Sequence, residues 1–177
     1  IEQLRVALRD GLSESDKDRP LVVIAHSLGA YILSNYIWDR QHKDSEGYGT
    51  TDFDSMKTLA GIVTFGCNIP LFTLAFDEIK CITFPLSGLP DYFPGADPAA
   101  VAAAARWLNF YDPDDVLGYP LSNLSPSYEA SVIEDMPINA GGILYSWNPL
   151  SHSHYWTDNN MTKPVAEMLS RLLELLP

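Results

Sequence analysis

An unbroken apolar run, Leu-Val-Val-Ile-Ala at residues 21–25, stops at His26-Ser27 and gives way to Leu28-Gly29-Ala30 and the helical pattern YILSNYIWD. No other stretch of the chain constrains the fold so tightly. A buried strand must here turn straight into a helix, with one serine at the apex. That is the spacing of the nucleophile elbow, G-x-S-x-G, whose tight strand-to-helix turn lifts a serine hydroxyl above the sheet. Small residues are expected two places before and two places after the serine, where strand and helix approach. Ala25 and Gly29 hold those places, so alanine stands where the motif has its first glycine.

A serine at an elbow becomes a nucleophile only with a base in hydrogen-bond reach and a third group that orients the base. On such a scaffold the partners follow in the order serine, acid, histidine. The chain has four histidines. His26 lies inside the elbow and His42 in the polar stretch QHKDSEGYGTTD, which leaves His152 and His154 in NPLSHSHYW. For the acid, WLNFY at 107–111 reads as a strand, and the turn after it carries Asp112, Asp114 and Asp115. The residues alone leave the choice among these aspartates, and between the two histidines, open. Carboxylates at the C-terminal end of one strand and a histidine on a later loop share the edge at which open α/β sheets collect their ligands.

With these segments in view, the chain resembles the α/β-hydrolases, and within them the lipase and esterase branch that includes the class 3 lipases. AHSLGA, IVTFGCNIPL, NFYDPDDVLGYPL and SHSHYW carry the resemblance, which spans residues 21–156. It implies Ser27 as nucleophile. It also implies Asp115 as acid, directly before the apolar turn, with Asp112 as the alternative. The base is implied as His152, in a Ser-His-x-x-Tyr arrangement, with His154 as the alternative. The backbone N–H of Leu28 is implied as one oxyanion-hole donor. The activity implied is hydrolysis of a small-molecule or lipid carboxylic ester through an acyl-enzyme, with no metal and no organic cofactor. The same residues would serve a thioesterase or an acyltransferase, and the same scaffold can be a non-catalytic binding module.

The expected fold is an α/β-hydrolase-like, mostly parallel sheet flanked by helices, formed as one domain over 1–177. Strands are expected near 21–25, 61–66, 106–111 and 141–147. A run apolar on both faces belongs inside a parallel sheet, and the later strands supply neighbours for one side of LVVIA only. The chain opens at Ile1 already in helical phase, with Ile1, Leu4, Leu8 and Leu12 on one face. The expectation is therefore a C-terminal portion of the fold, with earlier strands and the second oxyanion donor ahead of Ile1. A connection at about 70–105 interrupts the pattern with prolines at 85, 90, 94 and 98, and it carries Phe84, Leu86, Leu89, Tyr92 and Phe93. Two readings fit it, a hydrophobic lid that walls an acyl chain and a satellite cluster packed on the domain. From Met161 to Pro177, with Pro164 near the start, Val165, Met168, Leu169, Leu172, Leu173 and Leu176 describe an amphipathic helix.

Composition narrows the partners. At 177 residues and 46% hydrophobic the chain can bury a sizeable core, which excludes general disorder. A net charge of −12 without a Lys/Arg cluster argues against nucleic acid and anionic membrane surfaces. No apolar stretch has the length of a membrane span. Cys67 and Cys81 form neither a disulfide framework nor a metal-ligand spacing, which favours a reducing, cytoplasmic compartment.

Overall fold

In the computed structural model, which describes residues 2–11, 18–42, 51–132, 134–141 and 152–177, four parallel strands form one sheet. They are β1 (Leu21–His26), β2 (Leu59–Phe65), β3 (Arg106–Tyr111) and β4 (Glu134–Pro137). Their spatial order follows the sequence, β1-β2-β3-β4. A parallel neighbour demands a crossover, and helices occupy these connections: α2 (Leu28–His42) after β1, α3 (Ile69–Thr73) and α4 (Pro98–Ala104) after β2, and α5 (Pro126–Ser131) after β3. A helix α1 (Glu2–Gly11) precedes the sheet, and α6 (Asn159–Glu174) follows it. The fold class is α/β.

Local chemistry explains where the later helices begin. Asp97, Ser125 and Asp158 each accept a backbone N–H from the first turn of α4, α5 and α6, and Pro98 and Pro126 take the first position of α4 and α5. These are the preferred capping residues, with proline where no donor is needed. Helix α6 starts ahead of the expected position, so Pro164 lies inside it. Its buried stripe is Met161, Val165, Met168 and Leu172. Leu173, expected on that stripe, is 66% exposed. The helix lies close on β2 at Gly61, where a Cβ would come within 3.1 Å of Met168 Cε. Glycine there lets the helix settle onto the sheet.

Strand β2 is buried along its whole length, as the centre of an α/β core should be. Strand β1 is less covered. Among the described residues it pairs with β2 alone, the one side that the later strands were expected to supply, and Ile24 is 45% exposed. A continuous apolar run reports what lies above and below a strand. Lateral neighbours bond through the main chain and leave no mark on the side-chain pattern.

Strand β4 is a departure from expectation. Glu-Asp-Met-Pro carries no strand signature, and its pairing with β3 is reinforced by a polar ladder in register across three strands. Thr64 Oγ1 donates to Asn109 Oδ1 at 2.8 Å, and Asn109 Nδ2 donates to Asp135 Oδ1 at 2.7 Å. Trp107 Nε1 donates to Thr64, and Asp135 also accepts the N–H groups of Leu121 and Ser122. Buried polar atoms are thereby satisfied, and the segment after β3 is tied to the sheet. The strand expected at 141–147 lies, apart from Gly141, outside the described residues, as do the side chains of the face expected on Ile1, Leu4, Leu8 and Leu12.

Of the apolar load at 84–93, Leu86 and Tyr92 are half-buried and the other three side chains are core. Phe84, Leu89 and Phe93 are 4%, 1% and 1% exposed and join the main hydrophobic cluster, so they do not wall a substrate. The exposed apolar side chains of this connection stand earlier, at Leu71, Phe72, Leu74 and Phe76. No helix among the described residues is long and apolar enough to cross a membrane.

Candidate active site

Ser27 sits at the end of β1 with φ of 55°, in the left-handed region. A non-glycine residue there costs of order 1–3 kcal/mol and persists only when its surroundings enforce it. Here they do. The Ser27 N–H donates to Phe65 O of the neighbouring strand at 3.1 Å, and Ser27 O accepts Ala30 N–H as the first turn of α2 closes. The hydroxyl stands at the positive end of a fifteen-residue helix. Leu28, its first residue, is among those whose N–H groups have no partner within the helix. Of the two expected small residues, Ala25 is buried. Gly29 is not crowded, because a Cβ there would meet nothing within 4 Å. The close strand–helix approach expected at Gly29 is thus absent among the described residues.

His152 brings its ring to the serine. Its Nε2 lies 2.7 Å from Ser27 Oγ and its Nδ1 2.7 Å from Asp115 Oδ2. A carboxylate can only accept, so Nδ1 carries the hydrogen and Nε2 offers its lone pair to the hydroxyl. The His152 side chain is 17% exposed and that of Asp115 fully buried. Asp115 accepts two further hydrogen bonds, from Leu117 N–H at 3.0 Å and from Tyr155 O–H at 2.9 Å. Its orientation is fixed from three directions.

The three aspartates after β3 differ in what they touch. Asp112, also buried, accepts Asp114 N–H at 2.9 Å and Ala140 N–H at 2.7 Å, and its own N–H donates to Tyr155 Oη. It fastens the turn to the segment after β4. Asp114 is exposed. Only Asp115 meets the imidazole. Similarly His152, and not His154, presents its ring to Ser27 and Asp115. The His154 carbonyl accepts Thr157 N–H at the start of the Tyr155–Thr157 turn.

Three further residues shape this site: Tyr155, which entered the sequence analysis only as the end of Ser-His-x-x-Tyr, and two glycines given no role there. Tyr155 is completely buried, and burial beside the Asp115 carboxylate pushes its phenol up, so it remains a hydrogen-bond donor. Gly66, at φ +53°, ends β2 beneath the imidazole, where a Cβ would fall 3.0 Å from His152 Cε1. At Gly118 a Cβ would fall 2.8 Å from Asp115 Oδ2 and 2.9 Å from Tyr155 Oη. The glycines of TFG and DVLGYPL were the available signal, because glycine at a strand end or tight turn marks close approach. Neither cysteine competes as a nucleophile. Burial pushes Cys67 and Cys81 up to about 12, so both thiols stay protonated near neutral pH.

Large apolar side chains stand exposed beside the triad in sequence: Leu28 and Ile32 on α2, Val116 and Leu117 after the acid, and Trp156 after Tyr155. Among the described residues, no group of three or more His, Cys, Asp or Glu side chains is placed to hold a metal ion. No protein-family model, curated protein or solved structure matches the chain. What bears on function is therefore the geometry of Ser27, His152 and Asp115.

Proposed function

We propose that the chain is a serine hydrolase of the α/β-hydrolase type that cleaves carboxylic esters through an acyl-enzyme on Ser27. The observation that carries this reading is the unbroken relay from Ser27 Oγ to His152 to a buried carboxylate, with 2.7 Å at each link. An imidazole held in one tautomer, with its lone pair on a serine hydroxyl, is what general-base activation requires. Ser27 Oγ attacks the ester carbonyl while His152 Nε2 takes its proton. The carbonyl oxygen becomes an oxyanion, and Leu28 N–H at the start of α2 donates to it. The tetrahedral intermediate expels the alcohol, which leaves with the proton from His152, and Ser27 is acylated. Water then attacks the acyl-enzyme with His152 again as base, the Ser27–acyl bond breaks to release the carboxylic acid as Ser27 Oγ takes the proton back from His152, and Asp115 stabilises the imidazolium formed in both halves.

Neutral esters with an apolar acyl chain suit the surroundings best. Leu28, Ile32, Val116 and Leu117 offer apolar contact, and a net charge of −12 disfavours anionic substrates at low salt. The test is a series of p-nitrophenyl esters with Ser27→Ala as the blank. Hydrolysis should vanish in the variant. From acetyl to hexanoyl, kcat/KM should rise by up to about two orders of magnitude, at roughly 0.8 kcal/mol per methylene buried. Equal turnover by Ser27→Ala would overturn the mechanism. A flat or falling series would overturn the acyl preference alone.

A further inference from the structure

His26 is the one histidine in the elbow itself, and the relay does not use it. As the last residue of β1 it directly precedes Ser27, and it pairs in register with Phe65, the last residue of β2. Its ring stacks on the Phe65 ring with centroids 5.0 Å apart and planes 18° apart. Also around it are the rings of His152, 4.7 Å away, Tyr155, 6.1 Å away, and Trp156, 6.3 Å away, the last two packed against Phe65 as well. Its Nε2 lies 2.8 Å from the main-chain carbonyl of His152. A carbonyl accepts and cannot donate, so Nε2 carries the hydrogen.

We infer that His26 is a positioning residue for the base: its Nε2–H holds the His152 main chain, and so the imidazole, at hydrogen-bond distance from Ser27 and Asp115. This inference rests on the hydrolase reading above. The geometry behind it is a closed bracket. Ser27 is fixed by its N–H to Phe65 O, His26 is stacked on the Phe65 ring, and His26 holds the backbone of the residue whose ring meets Ser27. Nucleophile and base come from positions 125 residues apart, yet this bracket references both to the end of β2. Asp115, itself held by the Tyr155 hydroxyl, meets Nδ1 of the imidazole but not the His152 backbone.

The charge state of His26 agrees with such a role. Burial lowers its pKa, and the nearby His152 lowers it further, against a backbone hydrogen bond and the Asp115 carboxylate that raise it. The titratable groups that face it are thus His152, Asp115 and Tyr155. A neutral ring does not oppose the imidazolium that His152 becomes during attack, whereas a cation at this distance would.

Two variants of the whole chain test the inference. His26→Phe keeps an aromatic ring for Phe65 and removes the donor. His26→Gln loses the ring but places an amide N–H near the position of Nε2. Rates on a p-nitrophenyl ester are referred to the folded fraction, measured by circular dichroism, and KM is followed separately. The expected result is that His26→Phe lowers kcat about ten- to a hundredfold with KM little changed, because a misplacement of about 1 Å costs that much. His26→Gln should recover most of the loss. Wild-type kcat in His26→Phe, or a loss that His26→Gln does not repair, would overturn the positioning role. Failure of the underlying reading looks different: the wild-type chain itself would hydrolyse no ester.

Discussion

Asp115→Asn is expected to lower kcat by about four orders of magnitude while leaving a folded protein, the loss expected when an orienting carboxylate becomes an amide. Asp115 Oδ2 accepts from His152 Nδ1 and Tyr155 Oη, and Oδ1 from Leu117 N–H. An amide cannot accept at both atoms. If its NH2 faces His152, the imidazole must carry its hydrogen on Nε2, and the lone pair offered to Ser27 is lost. If its NH2 faces Leu117, two donors meet in a buried place. Asp112→Asn makes the informative contrast. It leaves a donor facing Asp114 N–H or Ala140 N–H, so stability should fall by about 1–3 kcal/mol. Because Asp112 does not touch His152, its effect on kcat should be far smaller. Steady-state kinetics with thermal melts on both variants check the pair. Equal kinetic losses would remove the distinction between the two carboxylates.

Gly66→Ala should carry the second-largest effect. Its φ of +53° is one that alanine adopts at a cost of about 1–2 kcal/mol. The new methyl would also lie 3.0–3.1 Å from His152 Cε1 and Nδ1 and 3.1 Å from Tyr155 Cε2. Neither ring can easily yield. His152 is held at both nitrogens, and Tyr155 is buried between Asp112 N–H and the Asp115 carboxylate. Strain and displacement together should destabilise the fold by at least 1 kcal/mol and lower kcat about a hundredfold. The same substitution at Gly29, where nothing lies within 4 Å, serves as the control and should leave kcat unchanged. Kinetics and melting of the two alanine variants side by side check this. A Gly66→Ala variant with wild-type kcat would show that the His152 seat does not depend on this glycine.

What the sequence disclosed was local. The elbow is legible because apolar run, serine and helix are contiguous, and each signal reinforces the next. Beyond it the sequence supplied candidates in the right order, and it took the resemblance to prefer Asp115 and His152. Three aspartates in one turn are distinguished by which of them meets a ring 37 residues downstream. Strand β4 was illegible for a similar reason: Asp135 belongs in the sheet because Asn109 of β3 and the N–H groups of Leu121 and Ser122 complete it. At 84–93 the sequence left a lid and a packed cluster both open, since Phe84, Leu89 and Phe93 look alike in sequence whether they face solvent over a site or the core. His26 was set aside because it precedes the serine, and its partner, the carbonyl of His152, lies 126 residues away.

The most direct measurement is covalent labelling of the folded chain with a fluorophosphonate, followed by intact mass and peptide mapping. A fluorophosphonate reacts only with a serine whose base is in place, so it reports activation without knowledge of the natural ester. One adduct per chain is expected, located on Ser27, absent in Ser27→Ala and formed much more slowly in His152→Ala and Asp115→Asn. A folded wild-type chain that takes up no label, or takes it up at another serine, would contradict the hydrolase mechanism.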